Sequence, residues 1–305
     1  MRWKSCLHFF FIYLLIIFAS ALLTPFIYQC VQFLNTHSQS SFINYLAHKP
    51  LNQYFDRIRI AVLVLTLPYF IKSFKINANE FHLRLSFRNF LIAIKNFFTA
   101  VAFWLILFVL LYTILPIQIK LQSCHFNTII QYLFASTLLT IIEELVFRGF
   151  LFSALKQILT KRQTLLTLGF IFSILHFSHI REIPQEIPCW LGGFYSAYFS
   201  NIDIFTNISW PYFFNLFFLN AILCNLYEKS QTLWASIGFH AGLVFTLMVL
   251  RKNVTFAPTS LYGLGTGRLT DSYIVASILA IILFFQTKSK KSSSNISKIF
   301  TETCF

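Results

Sequence analysis

Eight apolar segments dominate the chain: Cys6–Phe33, Ile60–Ser73, Phe90–Ile117, Phe126–Leu155, Leu165–Ile180, Ile208–Tyr227, Leu233–Leu250 and Ser272–Phe285. A hydrocarbon core about 30 Å thick takes a helix of roughly 20 apolar residues. A spanning segment must also satisfy its own backbone polar groups, which restricts it to helices or closed barrels. Runs this long and this continuous read as helices. Composition points the same way. The chain is 57% hydrophobic, has a mean hydropathy of +0.68 and carries only 11% charged residues, against about 25% in an ordinary soluble domain. A soluble globule could not cover so much apolar surface. The expected fold class is all-α, a polytopic membrane helical bundle of about eight transmembrane helices. Residues 1–120 supply N-terminal spans with an inner-surface amphipathic stretch, 121–286 a membrane core, and 287–305 a basic, Lys/Ser-rich tail expected to be disordered.

Several local features refine this picture. A ninth apolar stretch, Ile187–Phe199, is short and contains Gly192–Gly193, so it reads as re-entrant, interfacial or a broken helix. Ile76–Asn96 alternates Phe81, Leu83, Leu85, Phe87 and Phe90 with Arg84, Arg88 and Lys95, a pattern suited to the inner membrane surface. Arg2, Lys4, an apolar run and Ala19-Ser20-Ala21 outline a secretory signal. The apolar character continues through Tyr28, however, which suits an uncleaved helix.

With the N-terminus inside, fifteen Lys/Arg flank the inner ends of the segments and eight the outer ends. That bias places both termini in the cytoplasm, with a bacterial inner membrane as the expected location. The same distribution accounts for the net charge of +14 and excludes a nucleic-acid partner, which would need a basic patch on a soluble module. Membrane lipids are the expected surroundings. The six cysteines form no CxxC pair, so zinc-ribbon and redox-motif readings fail.

Ionisable residues inside the apolar segments carry the functional information, because each costs about 2.5–3.5 kcal/mol at the centre of a membrane helix. The fourth segment reads Ile141-Ile142-Glu143-Glu144-Leu145-Val146-Phe147-Arg148. Glu144 and Arg148 stand at i and i+4 on one helix face and can pair. Glu143 is rotated by about 100° and has no partner on its own helix. A carboxylate left without a counter-charge in a low-dielectric site is suited to general-base work at neutral pH. His176 lies in the fifth segment and His240 in the seventh. Counted from the inner ends, Glu143 is about 12 residues deep, His176 about 11 to 13 and His240 about 7 to 9, within several ångström of one level. Two carboxylates and two imidazoles at one depth make a plausible water-activating centre. His179 shares the face of His176 and reads as a surface histidine or a reserve ligand.

On these residues the sequence resembles the CAAX protease and bacteriocin-processing family of intramembrane endopeptidases, also called the abortive-infection family. The resemblance rests on Glu143-Glu144-Leu145-Val146-Phe147-Arg148, on Phe172-Ser173-Ile174-Leu175-His176, and on His240 preceded by the run Tyr227–Ser236. It covers roughly Phe126 to Val249. The family usually has Asn or Asp four residues after the last His; here that position is Val244, and Ser236, one turn before His240, is the polar residue that could substitute.

The resemblance implies an eight-span bundle enclosing the active site and an endopeptidase acting on a membrane-associated protein or peptide. Glu143, Glu144, His176 and His240 would be its catalytic group, with Arg148 orienting Glu144. In the metal-free mechanism proposed for the family, Glu143 is the general base, His176 orients the water and His240 donates to the oxyanion. No cofactor is then required. In a zinc variant His176, His240 and Glu144 would bind the ion and the remaining Glu would act as base. A catalytically weak or inactive membrane scaffold or immunity protein of the same fold is the alternative that Val244 favours.

Overall fold

A computed structural model describes residues 2–77, 83–114, 117–119, 125–178, 181–256 and 270–285. Its helices are α1 Arg2–His37, α2 Ser41–Ala47, α3 Leu51–Ser73, α4 Phe87–Ile114, α5 Phe126–Glu144, α6 Phe152–Lys156, α7 Lys161–Leu175, α8 Cys189–Thr206, α9 Trp210–Ser230, α10 Leu233–Asn253 and α11 Tyr273–Phe285. The expected all-helical membrane architecture is present. Phe10–His37, Phe87–Thr113 and Leu233–Asn253 are each long and apolar enough to cross a membrane. One short antiparallel pair joins Ile117–Ile119 (β1) to Val254–Phe256 (β2), with Ile117 opposite Phe256. His179 and the tail after Phe285 lie outside the described residues.

The chain forms two compact units, residues 1–75 with 174–208, and residues 76–173 with 209–305. In the first, α1 packs on α3 and α8 around Ile17, Ala21, Phe55 and Ala197. The Gly192–Gly193 pair does not break α8, which runs unbroken for 18 residues. The glycines serve packing instead, since a Cβ at Gly193 would stand 2.1 Å from the Ala21 carbonyl oxygen. Such close approach of two backbones is how membrane helices gain van der Waals contact without a hydrophobic driving force. Phe87–Asn96 is the first third of the continuous, 28-residue α4, because its Phe, Leu and Ile residues extend a helical run with no Gly or Pro to stop it.

The second unit is organised around α10, which packs against α4, α5 and α9. On α4, Ala100, Trp104, Leu107 and Leu111 recur at helical spacing and are buried against Leu219, Ile222 and Leu223 of α9, Leu243 of α10, and Val275 and Leu279 of α11. α4 and α10 run parallel. Gly238 faces Ala93 and Gly242 faces Phe97, so close that an added Cβ would lie 2.1 and 2.3 Å from the respective carbonyl oxygens. Because the obstacle is backbone, relief requires the helices to separate. Gly238→Ala is expected to cost about 1–3 kcal/mol in unfolding measurements in detergent, the usual range for overpacking. Gly169→Ala on α7 meets only the edge of the Phe217 ring, a side chain that can rotate, and should cost clearly less.

Candidate active site

α5 ends at Glu144 and continues without a break into a seven-residue π-helical stretch, Leu145–Leu151, before α6 resumes the α-helical pitch. Single π turns inside helices concentrate at functional sites, because they re-aim side chains at the cost of poorer backbone bonding. Here the stretch begins at the two carboxylates and contains Arg148. Glu144, Val146, Phe147, Arg148, Gly149 and Phe150 are all buried.

Glu144 and Arg148 form the expected i,i+4 pair, with Arg148 Nη1 donating to Glu144 Oε1 at 3.0 Å and both side chains fully buried. The other end of the guanidinium is held from α9, where Nη2 donates to Asn220 Oδ1 at 2.9 Å. Phe172 of α7 lies under the cation, 4.9 Å from guanidinium carbon to ring centroid, and meets the edges of Phe147 and His240. A buried cation is tolerable only when its hydrogen bonds and counter-charge are supplied locally. The carboxylate takes Nη1, the amide takes Nη2 and the aromatic face adds a cation–π contact, while Nε has no hydrogen-bond partner among the described residues.

His240 completes the cluster from α10. Its Nδ1 is 2.9 Å from Glu144 Oε1 and its Nε2 is 3.5 Å from Glu143 Oε2. Oε1 already accepts from an arginine that cannot give up its charge, so it stays an acceptor and Nδ1 carries the hydrogen. That fixes the tautomer of the neutral ring and leaves Nε2 facing Glu143. The 3.5 Å separation is too long for a good direct bond.

Glu143 differs from its neighbour in environment. Its side chain is 23% exposed, against 0% for Glu144. Without a partner on its own helix, it finds His240 on another. Adjacent carboxylates therefore differ in setting, one locked by Arg148 and fully buried, the other partly exposed beside His240 Nε2.

The structure thus brings Glu143, Glu144, Arg148 and His240 together. His176 is placed in the turn just after α7, half-buried, and falls in the first unit. Ser236 is buried beside Glu144 and donates to the Leu233 carbonyl at 3.0 Å. Val244 packs against the apolar cluster shared by α4, α9 and α11.

Sequence reasoning missed two members. Asn220 is one of three buried asparagines on α9, with Asn215 and Asn225, and nothing in their spacing marks which of them meets the arginine. Phe172 was noted only as a motif position, and its service to the arginine depends on a contact between helices.

Among the described residues no three His, Cys, Asp or Glu side chains form a group able to hold a metal ion. Glu144 Oε1, a candidate zinc ligand, already accepts from both Arg148 and His240.

Residues 125–246 match the family described as type II CAAX prenyl endopeptidase Rce1-like. The matched stretch begins just before α5 and ends six residues past His240, so it contains every residue of the cluster. No curated protein and no solved structure matches the chain. The family match supports the resemblance to CAAX proteases and, at that coarse level, an intramembrane protease in a helical integral membrane protein.

Proposed function

We propose that the chain is an intramembrane endopeptidase that hydrolyses a peptide bond of a membrane-associated protein or peptide, using a water activated by Glu143. The observation that carries this reading is the pair of unlike carboxylates around one imidazole: Glu144 locked to Arg148, Glu143 partly exposed and 3.5 Å from His240 Nε2. Glu143 takes a proton from the water as it attacks the scissile carbonyl, and later returns it to the leaving amine. With Nδ1 committed to Glu144, His240 presents only Nε2 to the reaction. In the imidazolium form, its second proton taken from solvent before the attack and kept throughout, His240 donates from Nε2–H to the oxygen that becomes negative in the tetrahedral intermediate. His176 is assigned, from the family motif, to orienting the water. The basic residues at the inner ends of the segments put both termini in the cytoplasm, with a bacterial inner membrane as the proposed location.

Profiling protein termini in membranes from cells with and without the chain tests this. Termini that appear only with the intact chain, and vanish with Glu143→Ala at equal abundance, support hydrolysis and name the substrate. Matched termini in the two would overturn it. The second reading, a scaffold or immunity protein of the same fold, would then take its place; the apolar setting of Val244 is what favours it.

No step is routed through a metal. The purified protein is accordingly expected to hold well under one zinc per chain and to keep its activity after chelation and dialysis. One stoichiometric zinc, lost in His240→Ala, would instead favour the zinc variant.

A further inference from the structure

Asn220 is an amide on an otherwise apolar stretch of α9, fully buried between Leu219 and Leu223 of the core cluster. Burying an amide without compensating bonds costs on the order of 1–3 kcal/mol by protein mutational measures, and among the described residues its Nδ2 has no hydrogen-bond partner. The amide cannot rotate to improve this, since turning it over would set Nδ2 against the donors of Arg148. Its one bond, Oδ1 accepting from Arg148 Nη2 at 2.9 Å, therefore fixes both groups. From there the contacts run in series: Asn220 to Arg148, Arg148 to Glu144 Oε1, and that same oxygen to His240 Nδ1.

We infer that Asn220 is a positioning residue for His240, holding the guanidinium so that Glu144 Oε1 stays aimed at the imidazole and keeps the hydrogen on Nδ1. Rotation of the guanidinium about its long side chain would release Oε1, and the ring could then turn or exchange tautomers between Glu143 and Glu144. Phe172 lies against the cation and sets no in-plane direction, so the directional hold at Nη2 comes from Asn220. The inference rests on the proposed hydrolysis only for its consequence in rate; the geometric part stands by itself.

The test uses the full-length protein in nanodiscs with ¹⁵N-labelled histidine, the His240 signals being assigned by their loss in His240→Gln. Wild type and Asn220→Asp, which keeps the accepting oxygen, should both show a protonated Nδ1. Asn220→Leu, close in shape but without the acceptor, should show mixed tautomers. Appearance of the chain-dependent termini should slow by about 10- to 100-fold in Asn220→Leu, the usual cost of losing an outer-shell partner, and by less in Asn220→Asp. A protonated Nδ1 and an unchanged rate in Asn220→Leu overturn the inference. Should Asn220→Leu not fold, an unprotonated Nδ1 in wild type or a shifted tautomer in Asn220→Asp overturns it equally. If Glu143→Ala leaves the termini unchanged while the His240 signature still follows Asn220, the hydrolysis reading fails and the positioning role stands.

Discussion

Exchanging Glu143 for Gln is expected to lower the rate at which chain-dependent termini appear by about 10² to 10⁴, the range general-base catalysis contributes, while leaving the protein folded. The two halves of this expectation have separate causes. Gln cannot accept the proton of the attacking water, so the chemical step loses its base. The fold is spared because Glu143 is partly exposed and lies 3.5 Å from His240, beyond a good hydrogen bond, whereas the guanidinium is held by Glu144 and Asn220. Glu144→Gln is the informative companion. It keeps an accepting oxygen but removes the charge facing a buried arginine, so it should lose stability as well as rate. Loss of chain-dependent termini in Glu144→Gln but not in Glu143→Gln would reverse the roles assigned here.

The second large effect concerns stability. Arg148→Met should destabilise the protein by about 3–5 kcal/mol, the cost of stranding one member of a buried ion pair. Glu144 is fully buried, and its remaining neighbours, His240 and Ser236, bring no permanent positive charge. The double variant Glu144→Leu with Arg148→Met should recover most of that loss, because apolar residues of similar volume carry no desolvation penalty. Unfolding of wild type, the two single variants and the double in one detergent gives the coupling directly. A single variant no less stable than the double would mean that water reaches the pair and that Glu144 is not locked as described. The double variant should nonetheless be inactive, since Oε1 no longer holds His240.

Much of this was legible from residue order. The Glu144–Arg148 pair follows from i,i+4 spacing, and Glu143 standing apart from it follows from the 100° turn between neighbours. The depth estimate for His240 put it near Glu143, and the two do meet. Local spacing could not give the direction in which each ring nitrogen points. It also could not reveal the π-helical stretch, since a 3.6-residue period assumes regular pitch throughout. Gly192–Gly193 looked like a break because glycine weakens an isolated helix. In the fold the same residues admit the α1 backbone, a gain invisible without the partner helix.

By itself the sequence determined the solvent, the helical class and the identity of the ionisable residues, because each depends on composition or on spacing along one helix. The tertiary structure decided what those residues do to one another. It set His240 of α10 between two carboxylates of α5, with Nδ1 on Glu144 and Nε2 toward Glu143, and brought Asn220 from α9 and Phe172 from α7 to the arginine. Such contacts join positions up to 97 residues apart. They exist only where glycines let α10 seat against α4 and so fix the depth and rotation of His240.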